Sequence, residues 1–510
     1  MCSGKVCIRA IEAQADYINI IISSEKSFKL ENSDIKVYAS EVFNQAERVV
    51  ISFKILQKPV IEGKDILLQV PRYEGRRDGI YNKYFVSIND KFIAGPCYVT
   101  ELCNISIYYY PYPSSNTIKG LQVNMVDDAV KLGIGHSALN LNLPTIALPV
   151  KTKNSITYCM DGEEFYFNGE YLKKFDQKVK ELSDNNIVVN LILLNSIKWD
   201  DIQINTELKE ALIHPEFSMD GLISAFNIKT KEGLKYYKAF IEFVAERYTR
   251  DDEKYGRACG FIVGNEVDSQ WVWSNAGDKT VNEYMYEYVI TLRTAFYAAR
   301  KKYAQSRVYI SLDHFWNMRF QDNPLRYYKG KDIIDILNAK SRDEGNFDWG
   351  VAYHPYPEDL NNPDYWNDKT AVESFDTGRI TFKNLHVLSD YLSQEEYLYN
   401  GSIRHIILSE QGFNSKETEE SEKLQALAYA LAYKKSVETR GIESFILHAH
   451  VDNKDEFGLN LGLWRRDKNS ELANAPGSPK PVYFVFKDID KNIRSIEQII
   501  ERLRKDYLDI

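Results

Sequence analysis

The sequence predicts an α/β protein: a (β/α)8 TIM barrel preceded by a small N-terminal domain that resembles a β-sandwich. Residues 1–115 contain short runs rich in Ile, Val and Tyr, separated by polar or glycine-containing turns. From residue 116 to 510 the pattern changes, and eight strand-like runs alternate with amphipathic helical stretches. An open doubly wound sheet would usually carry a glycine-rich phosphate turn, and neither GxGxxG nor GxxxxGK[ST] is present.

The N-terminal domain is predicted from four β-like segments. They are Tyr17–Ser23, Val49–Leu56, Asp65–Val70 and Ile105–Tyr110. Short strands joined by turns favour a small sandwich. This domain would serve either as a scaffold that packs on the barrel or as a sugar-binding module. Pro111–Pro113 and the following Ser-Ser-Asn form the predicted linker.

The barrel is predicted unit by unit from apolar runs of strand length, each followed by a helical stretch. Its strands are Ile118–Asn124, His136–Leu143, Ile187–Leu194, Cys259–Glu266, Val308–Asp313, Trp349–His354, His405–Glu410 and Ser444–His450. The helices that follow them are Val126–Leu132, Tyr171–Ser183, Lys231–Tyr248, Asn282–Lys302, Lys331–Lys340, Thr381–Leu392, Ser421–Arg440 and Asp488–Arg504. A hairpin at Ser155–Asn168 interrupts the second unit.

Composition and charge restrict the partners of the protein. The chain has 64 Lys and Arg against 73 Asp and Glu, a net charge of −9, so its charge attracts neither nucleic acid nor an anionic membrane. No run approaches the roughly 18 apolar residues of a membrane span, and the N-terminus lacks a signal-peptide pattern. Six widely spaced cysteines without a CxxC pair are expected to be free thiols, which favours a cytoplasmic protein. We expect no cofactor and no metal, because no motif for either is present.

Polar residues gather where the predicted strands end, and a TIM barrel places its active site at the C-terminal ends of its strands. Four of the eight histidines are among them. Asn265 and Glu266 end strand four, Asp313 and His314 strand five, His354 and Tyr356 strand six, Glu410 strand seven, and His448 and His450 strand eight.

Two glutamates are the predicted catalytic pair. Glu266 and Glu410 each follow an apolar run that must fill a barrel core, where a carboxylate is costly unless it is hydrogen-bonded or functional. Strands four and seven lie three apart in the ring, so the two side chains can face each other across the mouth. Facing carboxylates suit glycoside hydrolysis, in which one group is the acid and the other attacks the anomeric carbon.

These motifs resemble those of the retaining TIM-barrel glycoside hydrolases of clan A, the 4/7 superfamily. Asn265-Glu266, Ser409-Glu410 and His354-Pro355-Tyr356 are similar to the clan's motifs at strands four, seven and six. The resemblance implies that Glu266 is the acid/base, that Glu410 is the nucleophile, and that Tyr356 hydrogen-bonds Glu410. It also implies that His354 lines the acid/base side and that Asn265 binds the sugar 2-hydroxyl.

The chain departs from the clan at two places, which suggests a divergent or uncharacterised family. Strand two ends in Asn140-Leu141-Asn142 instead of an arginine, and His448 and His450 stand where many members carry a tryptophan. Flat aromatic rings stack on pyranose faces. We therefore expect Trp271, Trp273 and Trp464 to contact an oligosaccharide or glycoside substrate, together with Asp313, His314 and His450.

Two other functions fit the sequence. His448-x-His450 places two imidazoles on one side of a strand, so a metal-dependent barrel hydrolase could use them with His314, His354 and Asp313. Alternatively, the barrel could be a catalytically idle carbohydrate-binding protein, because fold does not imply function.

Overall fold

The computed structural model describes residues 6–25, 34–41, 50–62, 64–198, 206–491 and 493–508. Eight parallel strands close into a barrel, and helices surround it, so the predicted fold class is confirmed. The barrel strands, in order around the ring, are Lys119–Leu121, His136–Asn142, Val188–Leu194, Ala258–Val263, Arg307–Leu312, Trp349–Tyr353, Ile406–Leu408 and Ile442–Leu447.

The barrel interior is filled by small and branched apolar side chains, because alternate residues of each strand point inward. The first strand pairs with the last through Leu121 and Leu447, which closes the ring. One cluster of buried residues fills the interior: Ala138, Ile192, Leu194, Ile223, Ile262, Tyr309, Ala352, Ile407 and Ile446. The barrel is therefore a packed core, and chemistry is restricted to its ends.

The surrounding helices begin at polar caps. Thr230 and Thr280 cap the helices that follow strands three and four, and Thr280 forms a reciprocal capping box with Glu283. The main helices are Val126–Lys131, Gly169–Asp184, Lys231–Tyr248, Val281–Lys302, Gly330–Asp343, His386–Leu392, Glu419–Glu438, Pro481–Asp488 and Ile493–Leu508. Shorter helices are Leu143–Ile146, Thr206–Leu212 and Gln270–Trp273, with 3₁₀ turns at Gly79–Tyr81, Val267–Ser269, Tyr365–Asn367, Phe382–Asn384 and Glu395–Tyr397.

Two sheets with mainly antiparallel pairing precede the barrel. One contains, in spatial order, Glu101–Leu102, Val6–Ala13, Tyr17–Ser24, Asp65–Pro71 and Val60–Glu62, and its edge strand Glu101–Leu102 pairs in parallel with Val6–Ala13. The other contains Lys91–Cys97, Lys83–Ile88, Ile35–Ser40 and Val50–Phe53. Smaller sheets are formed by Tyr73–Glu74 with Arg77–Asp78, by Ala147–Leu148, Glu163–Asn168 and Ser155–Met160, and by Trp464–Arg466 with Pro476–Pro479.

Three elements differ from their predicted type, number or starting residue. Ile105–Tyr110 is not a strand; it lies along the end of a barrel helix, where Tyr110 stacks on Tyr303 at 4.2 Å. The last predicted helix is two helices, Pro481–Asp488 and Ile493–Leu508. The helix predicted from Thr381 begins at His386, after a 3₁₀ turn that Thr381 caps. Of the predicted strand Val49–Leu56, Val49 lies outside the described residues.

The helix Val281–Lys302 lies between the barrel and the N-terminal sheets, and its residues are therefore buried on nearly every face. Tyr297 donates a hydrogen bond to the Val99 carbonyl at 2.5 Å. The Arg293 guanidinium lies over the Tyr98 ring, 4.4 Å from its centroid. The boundary near residue 115 stays a prediction.

The cysteine prediction holds only in part. Cys97, Cys103, Cys159 and Cys259 are free thiols, but Cys7 is disulfide-bonded, so the expectation of a free thiol is wrong there. Among the described helices, none has the length and apolar character needed to cross a membrane.

Candidate active site

The two glutamates meet at the C-terminal mouth of the barrel. Glu266 follows strand four and Glu410 follows strand seven. One carboxylate oxygen of each, together with a ring nitrogen of His354, lie within 4.8 Å of one another. The facing arrangement expected from strand order is therefore present.

Glu266 is held in an unusual backbone conformation. Its φ of 37° and ψ of 59° are left-handed, and Gly264 just before it has a φ of 80°. A non-glycine residue in this region carries strain of about 1–3 kcal/mol, and such strain concentrates at functional sites. The Glu266 N–H donates to Ser311 Oγ at 3.0 Å, which fixes the turn. The side chain is thereby directed into the mouth from the end of an apolar strand.

His354 connects the acid side of the site to strand seven. Its Nδ1 lies 2.9 Å from Glu266 Oε1, and its Nε2 lies 3.0 Å from Ser409 Oγ. The ring is 1% exposed, and burial lowers the pKa of His354, so the imidazole is neutral. A neutral ring can share a proton with Glu266 without adding a charge.

Glu410 accepts two hydrogen bonds. Tyr356 OH donates to Oε1 at 3.2 Å, the contact that the resemblance implies, and Gln122 Nε2 donates to Oε2 at 3.1 Å. Gln122 directly follows the short first strand, and its Oε1 lies 2.8 Å from His448 Nδ1. On the other side of that ring, His448 Nε2 lies 3.1 Å from Glu456 Oε1. A chain of contacts thus links the strand-eight loop to Glu410.

The surroundings shift the pKa values of the two carboxyls in opposite directions. Burial, with the charges of Asp313 and Glu410, raises the pKa of Glu266 well above its usual value. Burial also opposes ionisation of Glu410, but the charge of His448 and the hydrogen bonds from Gln122 and Tyr356 outweigh it and lower the pKa of Glu410. The Glu410 charge in turn overcomes burial and helps raise the pKa of His448 to about 9. One carboxyl therefore keeps its proton near neutral pH while the other is ionised.

Two further carboxyls lie beside Glu266. The Asp313 N–H donates to Asp268 Oδ1 at 3.0 Å, and the His314 N–H donates to Asp313 Oδ1 at 2.6 Å. Burial raises the pKa of Asp313 to about 6 and that of Asp268 well above its usual value. The structure thus brings Asp313 to the acid side of the site, with Asp268 supporting its backbone.

His314 lies behind the site instead of facing a substrate. Its Nδ1 is 3.2 Å from the Tyr356 carbonyl, and Arg379 Nε donates to its Nε2 at 3.1 Å. Burial and the Arg379 charge lower the pKa of His314 to about 3. We therefore assign His314 to positioning Tyr356.

His450 and Trp464 belong to a separate cluster. His450 Nε2 and Trp464 Nε1 lie 3.0 and 2.9 Å from Asp128 Oδ2, and the Asn124 N–H donates to His450 Nδ1 at 3.2 Å. The His450 side chain is fully buried. The structure therefore does not bring either residue to the glutamates.

The other residues predicted to contact a sugar differ in how far their side chains are covered by neighbouring residues. Asn265 is half-buried and makes no side-chain hydrogen bond with any described residue. Arg326 covers the Trp271 ring at 3.5 Å. Trp273 packs on the barrel-interior cluster and meets Phe457 edge-on, 6.4 Å between ring centroids. Trp273 is therefore the better placed of the two indoles.

The predicted histidine metal pair is not formed. His448 contacts Gln122 and Glu456, whereas His450 contacts Asp128, so the two rings serve different partners. Within the described ranges, Glu266, His354 and Glu410 are the group whose atoms are close enough to share a metal ion.

Several residues that contact the site were given no role from the sequence. They are Gln122, Asp268, Ser311, Ser409 and Glu456. Gln122 lies inside the predicted first strand, Ile118–Asn124, but follows the observed strand, Lys119–Leu121, so its place at the mouth depends on where that strand ends. Glu456 lies in a loop with no strand register to indicate it.

Solved structures of glycosidases are similar to this chain. A family 39 glycoside hydrolase from Bacteroides cellulosilyticus WH2 is 14% identical with a TM-score of 0.46, over 95% of this chain and 82% of that chain. A hyperthermophilic β-glucosidase from Pyrococcus furiosus is 14% identical with a TM-score of 0.46, over 74% and 85%. The β-glycosidase of Thermosphaera aggregans is also 14% identical with a TM-score of 0.46, over 74% and 86%.

No curated protein matches the sequence. A family model does match, and it spans residues 111–504, which include all eight barrel strands and every residue of the site described above. The chain therefore belongs to the family of unknown function DUF5722.

Proposed function

We propose that the protein is a retaining glycoside hydrolase of clan A that acts on an oligosaccharide or glycoside. The observation that carries this proposal is the Glu266–Glu410 pair, with oxygens within 4.8 Å and pKa values shifted in opposite directions. Retaining enzymes hold their carboxyls about 5–5.5 Å apart, and inverting enzymes about 6.5–9.5 Å apart. The short separation supports the retaining mechanism.

In the first step, the ionised Glu410 attacks the anomeric carbon and forms a glycosyl ester. Glu266 gives its proton to the departing glycosidic oxygen. Tyr356 and Gln122 orient the attacking carboxylate through their hydrogen bonds.

In the second step, Glu266 takes a proton from water, and the water oxygen displaces Glu410 from the sugar. Ester formation removes the Glu410 charge that helps to hold the proton on Glu266. The pKa of Glu266 then falls, which suits its second role as a base.

A panel of aryl glycosides followed by proton NMR tests the proposal. We expect hydrolysis of at least one glycoside, with the first-formed sugar keeping the anomeric configuration of the substrate. An inverted first product would overturn the retaining mechanism. Saturable sugar binding without turnover would favour the idle carbohydrate-binding alternative.

A metal-dependent hydrolase is a second candidate, because Glu266, His354 and Glu410 offer two oxygens and a nitrogen within 4.8 Å. Such a set suits a divalent transition metal. Elemental analysis of the purified protein and the rate of hydrolysis after EDTA treatment distinguish the metal-dependent hydrolase from the retaining glycosidase. Loss of activity in EDTA with recovery on adding metal would favour the metal mechanism.

A further inference from the structure

A cavity of about 520 Å³ lies at the ends of barrel strands one, two and eight. Gln122 and His448, the two residues linked to Glu410, form part of its wall. Glu266 and its partners His354 and Ser311 do not line it. Glu410 is not among the lining residues either, and the cavity is joined to it through Gln122, which donates a hydrogen bond to Glu410.

One helix face forms a wall of this cavity. Tyr171, Lys174, Phe175 and Lys178 line it, at the i, i+3, i+4 and i+7 positions of the helix Gly169–Asp184. Two aromatic rings and two ammonium groups are thus presented side by side. Asn140, exposed at the end of strand two, adds an amide to the same wall.

Neither lysine has a carboxylate partner among the described residues. The Lys178 Nζ donates to the Val123 carbonyl at 2.5 Å and forms no ion pair. Lys174 is exposed and forms none either. Lys178 is half-buried, so its ammonium is partly removed from water beside neutral groups, and an anion in the cavity would offset that cost.

Two buried lysines and one half-buried lysine elsewhere in the described chain show the contrast. Lys119 pairs with Asp490 and Lys480 with Asp452, both at 2.7 Å. Burial lowers the pKa of Lys238, and the charge of nearby Asp161 opposes that shift. Burial is the one influence that lowers the pKa of Lys178, and no carboxylate opposes it. The positive charge of Lys178 therefore has no nearby carboxylate, whereas the three lysines compared with it each pair with a carboxylate or lie near one.

The remaining charges of the cavity cancel. Glu456 is the one carboxylate among the lining residues, and it lies 3.1 Å from the His448 ring. The pKa of His448 is raised to about 9 by Glu410 and Glu456 despite burial, so the ring is cationic and balances Glu456. The two lysines thus leave the cavity with a net positive charge.

We propose that this cavity binds part of an anionic saccharide, whose carboxylate or sulfate group pairs with Lys178 and Lys174. That the saccharide reaches Glu410 past Gln122 as a substrate rests on the proposed function. A lysine ammonium is a compact point charge, unlike the planar guanidinium of arginine, so it can pair with either a carboxylate or a sulfate group. A volume of about 520 Å³ has room for more than one sugar ring.

The test compares matched aryl glycosides: a neutral hexoside, its uronate counterpart and its 6-sulfated counterpart, in both anomeric configurations. Wild-type kcat/KM should favour an anionic member by about tenfold or more, which corresponds to one charge-assisted contact. The preferred member, uronate or sulfate, identifies the anion.

Lys178→Met keeps the volume of the side chain and removes its charge. It should lower kcat/KM for the anionic substrate about tenfold and leave the neutral one unchanged. Lys174→Gln should act in the same direction. Lys173→Met is the matched control, because Lys173 is exposed on the same helix and does not line the cavity.

Calorimetry with glucuronate, galacturonate and glucose 6-sulfate gives a readout that does not need turnover. If no glycoside is hydrolysed but one of these anions binds wild type and not Lys178→Met, the proposed function fails and the anionic site stands. If neutral glycosides are hydrolysed best, or if Lys178→Met affects neutral and anionic substrates equally, the site is refuted while the proposed function stands.

Discussion

Glu266 and Glu410 are the same residue type, and their neighbours give them different chemistry. Glu266 lies beside a neutral imidazole and the acidic Asp313, whereas Glu410 lies near the cationic His448. An acid and a nucleophile are needed at the same pH, and this asymmetry supplies both.

Substituting Glu410 and substituting Glu266 should therefore have different effects on turnover. Glu410→Ala should lower turnover of every substrate by at least about a thousandfold, because no glycosyl ester can form. Glu266→Ala should lower kcat by about 10²–10⁴-fold for poor leaving groups and much less for an activated aryl glycoside. Rates on two aryl glycosides of different leaving-group pKa measure this.

Azide provides the control for these variants. It should rescue the second step of Glu266→Ala and give a β-glycosyl azide if the substrate is a β-glycoside. Unchanged rates for Glu410→Ala would contradict the assignment of the nucleophile.

The pH dependence of kcat/KM should be bell-shaped. Glu410 must be ionised, so activity falls as pH drops through its lowered pKa; Glu266 must be protonated, so activity falls as pH rises through its raised pKa. His448→Gln removes the cation that lowers the pKa of Glu410. It should move the acid limb of the profile to higher pH, and an unmoved acid limb would show that His448 does not act on the nucleophile.

The sequence was sufficient to place Glu266, Glu410, His354 and Tyr356 at the barrel mouth, because apolar runs fixed the strand ends that carry them. Their catalytic roles stay predictions. The sequence was not sufficient for Gln122 or for the roles of His448 and His450, two residues apart in sequence. His448 faces Glu410 through Gln122, and His450 is buried against Asp128. Gln122 directly follows the first strand and Asp128 lies in the helix Val126–Lys131, and only ring closure brings both next to strand eight.

At the scale of elements, the helix Lys231–Tyr248 joins the barrel to the N-terminal sheets through one buried carboxylate. Glu242 is 2% exposed and accepts hydrogen bonds from Tyr81 OH at 2.7 Å and Tyr158 OH at 3.0 Å. Lys301 Nζ lies 3.0 Å from it and also 3.3 Å from Asp78 of the N-terminal segment. The charge of Glu242 therefore stabilises the contact between sheets and helices.

Glu242→Gln should lower the free energy of unfolding by about 3 kcal/mol, because it leaves buried lysines short of a counter-charge. Glu246→Gln on the same helix is the control, since Glu246 is half-exposed and its pair with Lys302 should contribute about 1 kcal/mol or less. Thermal unfolding midpoints of the two variants measure the difference. Equal midpoints would show that the buried network does not stabilise the interface.

The same variant has a pH signature. The charges of Lys301 and Lys302 outweigh burial and lower the pKa of Glu242. Its stabilising contribution is therefore present above the ordinary glutamate pKa and is lost as pH falls through the lower value of the folded state. The difference between wild type and Glu242→Gln should shrink in acid.

Elements with strong periodicity could be predicted closely, and elements set by tertiary contacts could not. The helix Lys231–Tyr248 was predicted with the bounds that the structure shows. Ile105–Tyr110 has the composition of a strand, but its Tyr110 stacks on Tyr303 at the end of a barrel helix instead of packing in a sheet. A high β propensity shows that a side chain packs well on a half-buried surface, and in this segment that surface is a helix end instead of a sheet.

At the scale of the whole molecule, the N-terminal sheets and the barrel bury part of their surfaces against each other, and exposing either surface to water would cost free energy. The helix Val281–Lys302 is buried on nearly every face because the barrel covers one side and the N-terminal segment another. The Tyr98 N–H donates to the Glu344 carbonyl at 2.7 Å, and Ser106 Oγ donates to the Arg300 carbonyl at 2.6 Å. Backbone groups on both sides are thus paired across the contact.

We therefore expect the full chain to unfold in one calorimetric transition, with no separate melting of the N-terminal sheets. A fragment of residues 116–510 would expose the faces of Arg293 and Tyr297 that now meet Tyr98 and Val99. Uncovered apolar area of this kind costs roughly 25 cal/mol per Å², so the fragment should be insoluble or melt at a clearly lower temperature. Calorimetry of the full chain and the fragment decides this. Two transitions in the full chain, or a fragment with the melting temperature of the intact protein, would mean that the sheets are an independent module, as the sugar-binding alternative requires.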